Sequence, residues 1–304
     1  MALEFAAKGF RVFATARSTK SLASLEAKGI DILTLDVTQP ESISLLKTEI
    51  SKRTGGTLDI LFNNAGMSER LFHMPAVLNE ILINKLPVYE SPAIEAETSQ
   101  VRAMFDTNVF GLFAMVEAFT PLLLASTSNS PSQPPTIINT SSVVARLPYL
   151  FSAHYNATKA AVTSYSDTLR LELAPLGIKV VTVFMGVVRT GITSPDKIKF
   201  SPDSLYTAAE SGVKQRSKDH LSHGMDAKKF ASLVAGDILN KRGLTKGNYV
   251  WQGTNAFVVW LLNAVGWRKI FDSTVEQGVR FGKDVKHQIY EKSQQSVQKT
   301  KSSI

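Results

Sequence analysis

Cysteine is absent from the 304 residues, so disulfides and thiolate chemistry are excluded. That absence fits a reducing compartment. Histidine is scarce, with five copies, and none stand at metal-ligand spacing. No metal is expected. A basic stripe interleaved with aromatics is also lacking, although the formal net charge is +8. Nucleic acid is therefore not an expected partner. The positive surplus suits anionic cofactors or an anionic membrane surface. The opening residues, which include Glu4, do not read as a secretory signal.

What is present is alternation. Apolar content of 44% and charged content of 20% suit a globular chain with a full core. Strands are expected at 9–16, 30–35, 58–62, 135–141, 178–184 and 246–251. Helices are expected at 20–28, 40–52, from about 99 into the 120s, and at 153–174. Pro175 and Gly177 stop the last of these. Repeated βα units with apolar strands imply an α/β fold, with a parallel sheet covered on both faces. Three stretches break the rhythm. Leu3 to Lys8, closed by Gly9, reads as a helix end with no strand before it. Residues 67–87 are apolar and irregular, and Ser126 to Pro135 reads as a surface loop.

The most informative pair is Tyr155 and Lys159. A spacing of four puts phenol and ammonium on one helix face, a turn apart. A cation held there favours phenolate and is expected to lower the tyrosine pKa from about 10. Ser142 ends the strand that precedes this helix, the layout of an open α/β site. These groups can hold and protonate a carbonyl oxygen. The plain alternative is an exposed helix with a solvated lysine.

Several motifs stand together in order: Asn63-Asn-Ala-Gly66, Asn108 in Thr107-Asn-Val-Phe-Gly111, Ser142, Tyr155, Lys159, and Met185-Gly186-Val-Val188-Arg-Thr190. With them, residues 3–253 resemble the short-chain dehydrogenase/reductase family. The resemblance implies a Rossmann-like, doubly wound parallel sheet in a three-layer αβα fold. It makes Tyr155 the general acid or base and Lys159 the group that tunes it and bonds the nicotinamide ribose. Ser142 positions the substrate oxygen, and Asn108 supports a proton relay. Asn64 and Gly66 approach the adenine-side ribose, Asp36 meets the adenine, and Val188 and Thr190 meet the carboxamide and phosphates. Where NAD users place an acid, this chain has Ala14-Thr-Ala-Arg17-Ser. Arg17 can pair with a 2′-phosphate, so NADP (NADPH) is the expected cofactor. The family also implies a homo-oligomer.

The chain departs from the family pattern in three places. Met185 replaces a proline, so the start of the substrate loop is expected to be looser. The first strand and its glycine-rich turn are missing, so residues 1–253 read as an N-terminally truncated domain. In the family order that strand is central. Its loss would leave strands 9–16 and 58–62 without a shared neighbour, each buried unpaired group costing about 1–3 kcal/mol. The expectation is that the natural protein begins upstream and Met1 is internal. Residues 67–87 read as an insertion, translated intron being favoured over a lid.

Residues 254–304 are expected to form an apolar helix and a polar tail, disordered at its end, 299–304. The apolar run Ala256 to Trp267 is too short for a bilayer, which needs about 20 residues. A buried helix, a dimer contact and a peripheral membrane contact through 256–267 stay open. This tail and residues 3–17 resemble the branch containing the fungal NADPH-dependent 1-acyldihydroxyacetone-phosphate reductases. That implies a small-molecule or lipid carbonyl substrate, on the cytoplasmic side of the endoplasmic reticulum or lipid droplets. The rivals are a tailoring ketoreductase of secondary metabolism, a non-catalytic relic, and a membrane-associated scaffold.

Overall fold

The computed structural model describes residues 1–64, 89–127, 133–190, 195–241 and 243–302. Gly66 and the 67–87 stretch lie outside the described residues. Six strands are described: β1 (Phe13–Ala16), β2 (Asp31–Thr34), β3 (Ile60–Asn63), β4 (Thr136–Ser142), β5 (Lys179–Met185) and β6 (Tyr249–Gln252). Every pairing between them is parallel. The first half of the chain adds α1 (Ala2–Ala7), α2 (Ala23–Glu26), α3 (Pro40–Thr54), α4 (Thr98–Phe105) and α5 (Gly111–Ser126). The second half adds α6 (Ala153–Leu173), α7 (Glu210–His223), α8 (Ala227–Asn240), α9 (Ala256–Val265), α10 (Asp272–Gly278) and α11 (Lys283–Ser302).

The fold is a Rossmann-like α/β sandwich, and its layers follow from the two-residue period of strands. Ile137 and Val180 face a core built with α3, α5 and α6. Their neighbours Ile138 and Val181 face the opposite core, which holds Phe5 of α1 and Phe230 and Val234 of α8. Both faces of β4 and β5 are covered, which is why β5 reads as a nearly continuous apolar run, while β4 buries Asn139, Thr140 and Ser141 in hydrogen bonds. The strands form two sheets, β2–β1 and β3–β4–β5–β6. Between β1 and β3 lies a cavity of about 610 Å³. These are the two strands for which the sequence suggested a lost neighbour.

Local chemistry sets the helix ends. Pro40 opens α3, and Gly55 closes it at φ 67°, a left-handed conformation that glycine adopts without strain. Helices α4 and α5 form one 29-residue helix interrupted by a wide π turn at Asp106–Phe110. Two elements differ from expectation. β1 starts at Phe13 rather than Gly9, because Gly9 ends α1 at φ 89°. The polar tail is helical to Ser302, and Val285 and Ile289 pack against a cluster containing Phe151, Phe200 and Val279. Residues of this tail are strong helix formers, and two apolar contacts suffice to dock them.

Candidate active site

Strand β4 delivers Ser142 to its carboxyl end, and α6 begins eleven residues later at Ala153. Hydrogen bonds lock the two elements together. Ser141 Oγ donates to the Lys159 carbonyl at 3.2 Å and lies 2.7 Å from Thr163 Oγ1. Lys159 Nζ donates to the Thr140 carbonyl at 3.0 Å. Lys159 is only 5% exposed, so it is not the solvated lysine of the plain alternative. Its Nζ stands 5.8 Å from the Tyr155 ring centre. Ser142 Oγ donates to the Met185 carbonyl at 3.2 Å and accepts from Val144 N at 3.3 Å.

Asn108 sits in the π turn, 1% exposed, and its Nδ2 donates to Thr158 Oγ1 at 3.2 Å. Thr158 Oγ1 in turn donates to the Tyr155 carbonyl at 2.8 Å. The wide turn breaks the regular helical pattern and ties this helix to the tyrosine helix. Behind the site, Asn63 Nδ2 donates to Asn139 Oδ1 and Asn139 Nδ2 to Ser166 Oγ, both at 2.9 Å. Thr140 Oγ1 donates to Asn64 Oδ1 at 3.3 Å. Asn108 is thus linked to Tyr155 through Thr158, Lys159 is tied to β4 through Thr140, and Ser142, at the carboxyl end of β4, bonds β5.

The electrostatics differ from the spacing argument. Burial pushes the Tyr155 phenol up to about 12, and it pulls the Lys159 ammonium down to about 8. A lowered tyrosine pKa is thus not found in the free chain. Lys159 is aimed at a carbonyl rather than at the phenol oxygen, so desolvation outweighs its charge. A fall from 10.5 to about 8 corresponds to about 3 kcal/mol of folding penalty on the charged lysine. The unfolded lysine holds its proton more tightly, so this penalty is complete below pH 8 and fades as pH rises toward 10.5. Lys159→Met is therefore expected to raise unfolding free energy at pH 7 by about 1–3 kcal/mol, after the lost Thr140 bond is counted. The gain should shrink between pH 8 and 10.5 in denaturant titrations. A pH-independent difference would refute the assignment.

The expected cofactor residues divide by location. Arg17, Asp36 and Asn64 line one end of the cavity between the sheets. Arg17 is exposed at the end of β1, and the Asp36 carboxylate accepts from Thr38 N at 3.0 Å, which shapes the turn after β2. Val188 is buried in the core with Val181 and Phe230, so only its backbone, bridged to Met225, is available to a ligand. Thr190 is half-buried two residues further on. Gly186 matters for close packing rather than backbone freedom, because a Cβ there would lie 2.3 Å from the Thr254 carbonyl.

Sequence reasoning missed a buried cluster beside the tyrosine. Arg216 Nη2 bonds Glu90 Oε1 at 2.7 Å, and both side chains are at most 6% exposed. The guanidinium stacks 3.8 Å above the Tyr149 ring and donates to the Leu150 carbonyl at 3.0 Å. Tyr149 Oη lies 3.3 Å from His220 Nδ1. Burial, with Arg216 second, lowers the His220 pKa to about 4, so it is neutral at pH 7. Burial raises the Tyr149 pKa, with Tyr155 among the smaller contributors. Glu90 and Arg216 are 126 residues apart, and no spacing rule connects them.

Residues 1–199 match the family model described as short chain dehydrogenase. The short-chain dehydrogenase cctT of Talaromyces islandicus is 35% identical over 268 residues, covering 86% of this chain and 84% of that protein. The NADPH-dependent 1-acyldihydroxyacetone phosphate reductase of Schizosaccharomyces pombe is 36% identical over 194 residues, covering 64% of this chain and 56% of that protein. A solved short-chain dehydrogenase from Streptomyces avermitilis superposes with TM-score 0.67 at 25% identity, covering 93% of this chain and 92% of that one. The motif order, the helix-to-strand hydrogen bonds of the site and these matches agree: the chain belongs to the short-chain dehydrogenase family and is an oxidoreductase.

Proposed function

We propose that the chain is an NADPH-dependent reductase that converts a ketone to a secondary alcohol. The observation that carries this is the docking of Tyr155 and Lys159 onto the strand end that bears Ser142, through Thr140 and Ser141. The cofactor supplies a hydride to the carbonyl carbon. Ser142 fixes the carbonyl oxygen, and Tyr155, protonated at neutral pH, gives its proton to that oxygen. Asn108, through Thr158, steadies the backbone under the tyrosine. The residues fit the cofactor at both ends: Arg17, Asp36 and Asn64 toward the adenosine, Lys159 toward the nicotinamide ribose. The planar fork of Arg17 suits a 2′-phosphate. Arg17→Ala is expected to weaken NADPH, but not NADH, by about 10- to 100-fold, as befits a charge-assisted hydrogen bond. Fluorescence titration with both nucleotides reads this. Absence of binding to either would favour the non-catalytic relic.

The substrate we favour is a lipid ketone such as 1-acyldihydroxyacetone phosphate. Helix α9 supports this by leaving Phe257 64% and Trp260 43% exposed, and Trp267, just past its end, is 72% exposed near the exposed Lys269. Such a face lies in a membrane interface with its tryptophans at the headgroups. It supports, in this reading, a peripheral position on the cytoplasmic side of the endoplasmic reticulum or of lipid droplets. Co-sedimentation with vesicles containing anionic lipid should fall at least about fivefold in Trp260→Ser/Trp267→Ser. Unchanged sedimentation would remove this support. A second reading, a tailoring ketoreductase of secondary metabolism, is favoured by coverage: cctT aligns with 86% of the chain, the acyl-phosphate reductase with 64%. Comparing kcat/KM for the acyl phosphate and for a soluble aromatic ketone separates them. Phe110 and Leu171, exposed on the π turn and on α6, support homo-oligomerisation through the tyrosine helix, which light scattering would measure.

A further inference from the structure

Among the described residues, three other than glycine have positive φ, and Phe151, at 65°, is one of them. It is buried and stands four residues before Tyr155. Ser152 N donates to the Tyr149 carbonyl at 3.2 Å, which closes a four-residue turn with Leu150 and Phe151 at its centre. A positive φ at the third position of such a turn ordinarily calls for glycine or asparagine. A bulky aromatic there is strained, and strain of this kind persists only where the surroundings over-determine it.

The surroundings do so on three sides. The Phe151 ring sits among Phe200, Tyr206 and Phe281, at 5.3, 5.9 and 5.8 Å between ring centres. Its carbonyl accepts from Ser91 N at 2.8 Å. The carbonyl before it, that of Leu150, accepts from Arg216 Nη1 at 3.0 Å. This last bond decides the form of the turn. Turns with negative and with positive φ at the third position differ by a flip of the central peptide. Here that is the peptide between Leu150 and Phe151, and its oxygen is the atom Arg216 holds. A flip would turn this oxygen away from a buried cation and give Phe151 an unstrained, negative φ. Arg216 is not free to follow the oxygen. Glu90 holds its Nη2 at 2.7 Å, and the Tyr149 ring centre lies 3.8 Å from its guanidinium carbon.

The turn is also tied to the reacting end of α6. Ser152 stands at the N-cap of that helix, and its carbonyl accepts from Asn156 N at 2.9 Å. The Asn156 side-chain amide satisfies both its ends in one orientation, accepting from Tyr149 N at 3.0 Å and donating to the Ser152 carbonyl at 3.2 Å. Asn156 is the neighbour of Tyr155, so the form of the turn sets where α6 begins and where the phenol stands relative to Ser142.

We propose that Arg216 is a positioning residue: it latches the Leu150–Phe151 peptide in its strained orientation and so holds Tyr155 in place for proton transfer. The positioning role rests on the reductase reading, and the latch does not. Helix α7 thereby acts on the chemistry through the turn.

The test is Arg216→Met combined with Glu90→Leu in the full chain, which leaves no unpaired buried charge. Should that protein fail to fold, Arg216→Lys carries the same readouts, because its single ammonium is drawn to Glu90 and leaves the Leu150 carbonyl. The first readout is the NMR contact between the Leu150 α-proton and the Phe151 amide proton, strong in the positive-φ turn and weak in the flipped one. The second is reduction of a soluble aromatic ketone by NADPH, with kcat counted per folded molecule from near-UV circular dichroism. The contact is expected to weaken, and kcat to fall by about 10- to 100-fold with KM within about twofold of the parent. The solvent deuterium isotope effect on kcat should rise, because proton transfer from a displaced Tyr155 becomes the slow step. A contact of parent strength would overturn the latch. A weakened contact with kcat and isotope effect unchanged would overturn the positioning role. A parent inactive on every ketone would sink the reductase reading, and the contact would still decide the latch.

Discussion

Tyr155→Phe is expected to lower kcat/KM for ketone reduction by about 10²- to 10⁴-fold, the usual contribution of a positioned proton donor. Unfolding free energy should stay within about 1 kcal/mol of the parent. The ring is retained, and so is its contact with Lys159, whose Nζ lies 5.8 Å from the ring centre. The hydrogen bond from Thr158 to the Tyr155 carbonyl involves only backbone at this residue. What is removed is the hydroxyl. With that phenol pushed up to about 12 by burial, the proton needed for reduction is present across the neutral range. Reduction should therefore show no loss of rate from this group between pH 6 and 9, and alcohol oxidation, which needs phenolate, should climb with pH. Initial rates in both directions check this. A variant that keeps its rate would show that another group, or water, supplies the proton.

Arg216→Ala should destabilise the chain by about 3–5 kcal/mol, the range for removing one partner of a buried ion pair. Four features are lost together: the 2.7 Å bond to Glu90, the bond to the Leu150 carbonyl, the stacking on Tyr149, and the apolar volume of the stem. The Glu90 carboxylate would then stay buried with its counter-charge gone. Burial already pushes its pKa up against the pull of Arg216, so the unpaired group should protonate well above the ordinary carboxylate range. The destabilisation should accordingly shrink as pH falls. Arg216→Met combined with Glu90→Leu should recover most of the loss, because neither buried charge remains. Urea titrations at two pH values measure all three effects. Activity should fall as well, since Leu150 belongs to the loop that feeds α6, and α6 carries Tyr155.

Much of this was legible before any coordinates. Helix α6 was expected at 153–174 and spans Ala153–Leu173, because Pro175 and Gly177 are local stop signals. Strand β5 was legible because burial on both faces writes apolar residues in succession, and β4 through its Ile137-Ile138 pair among β-branched neighbours. The Tyr155–Lys159 pair was legible because helical spacing is a local property. The end of the tail, 299–304, reads as disordered from its polarity, yet α11 runs on to Ser302, continuing a helix docked upstream by Val285 and Ile289. The start of β1 was misplaced by four residues because Gly9 serves the preceding helix.

The sequence by itself determined the order of elements and the family, and it named the candidate reacting groups, since each depends on residue type and short spacing. Tertiary structure alone decided how those groups behave. Burial makes Tyr155 a weaker acid and Lys159 a weaker base than spacing suggested, because desolvation depends on what the whole fold removes from water. Contact between Glu90 and Arg216 depends on a loop and a helix that are distant in the chain. The cavity between β1 and β3 is likewise a property of how two sheets stand.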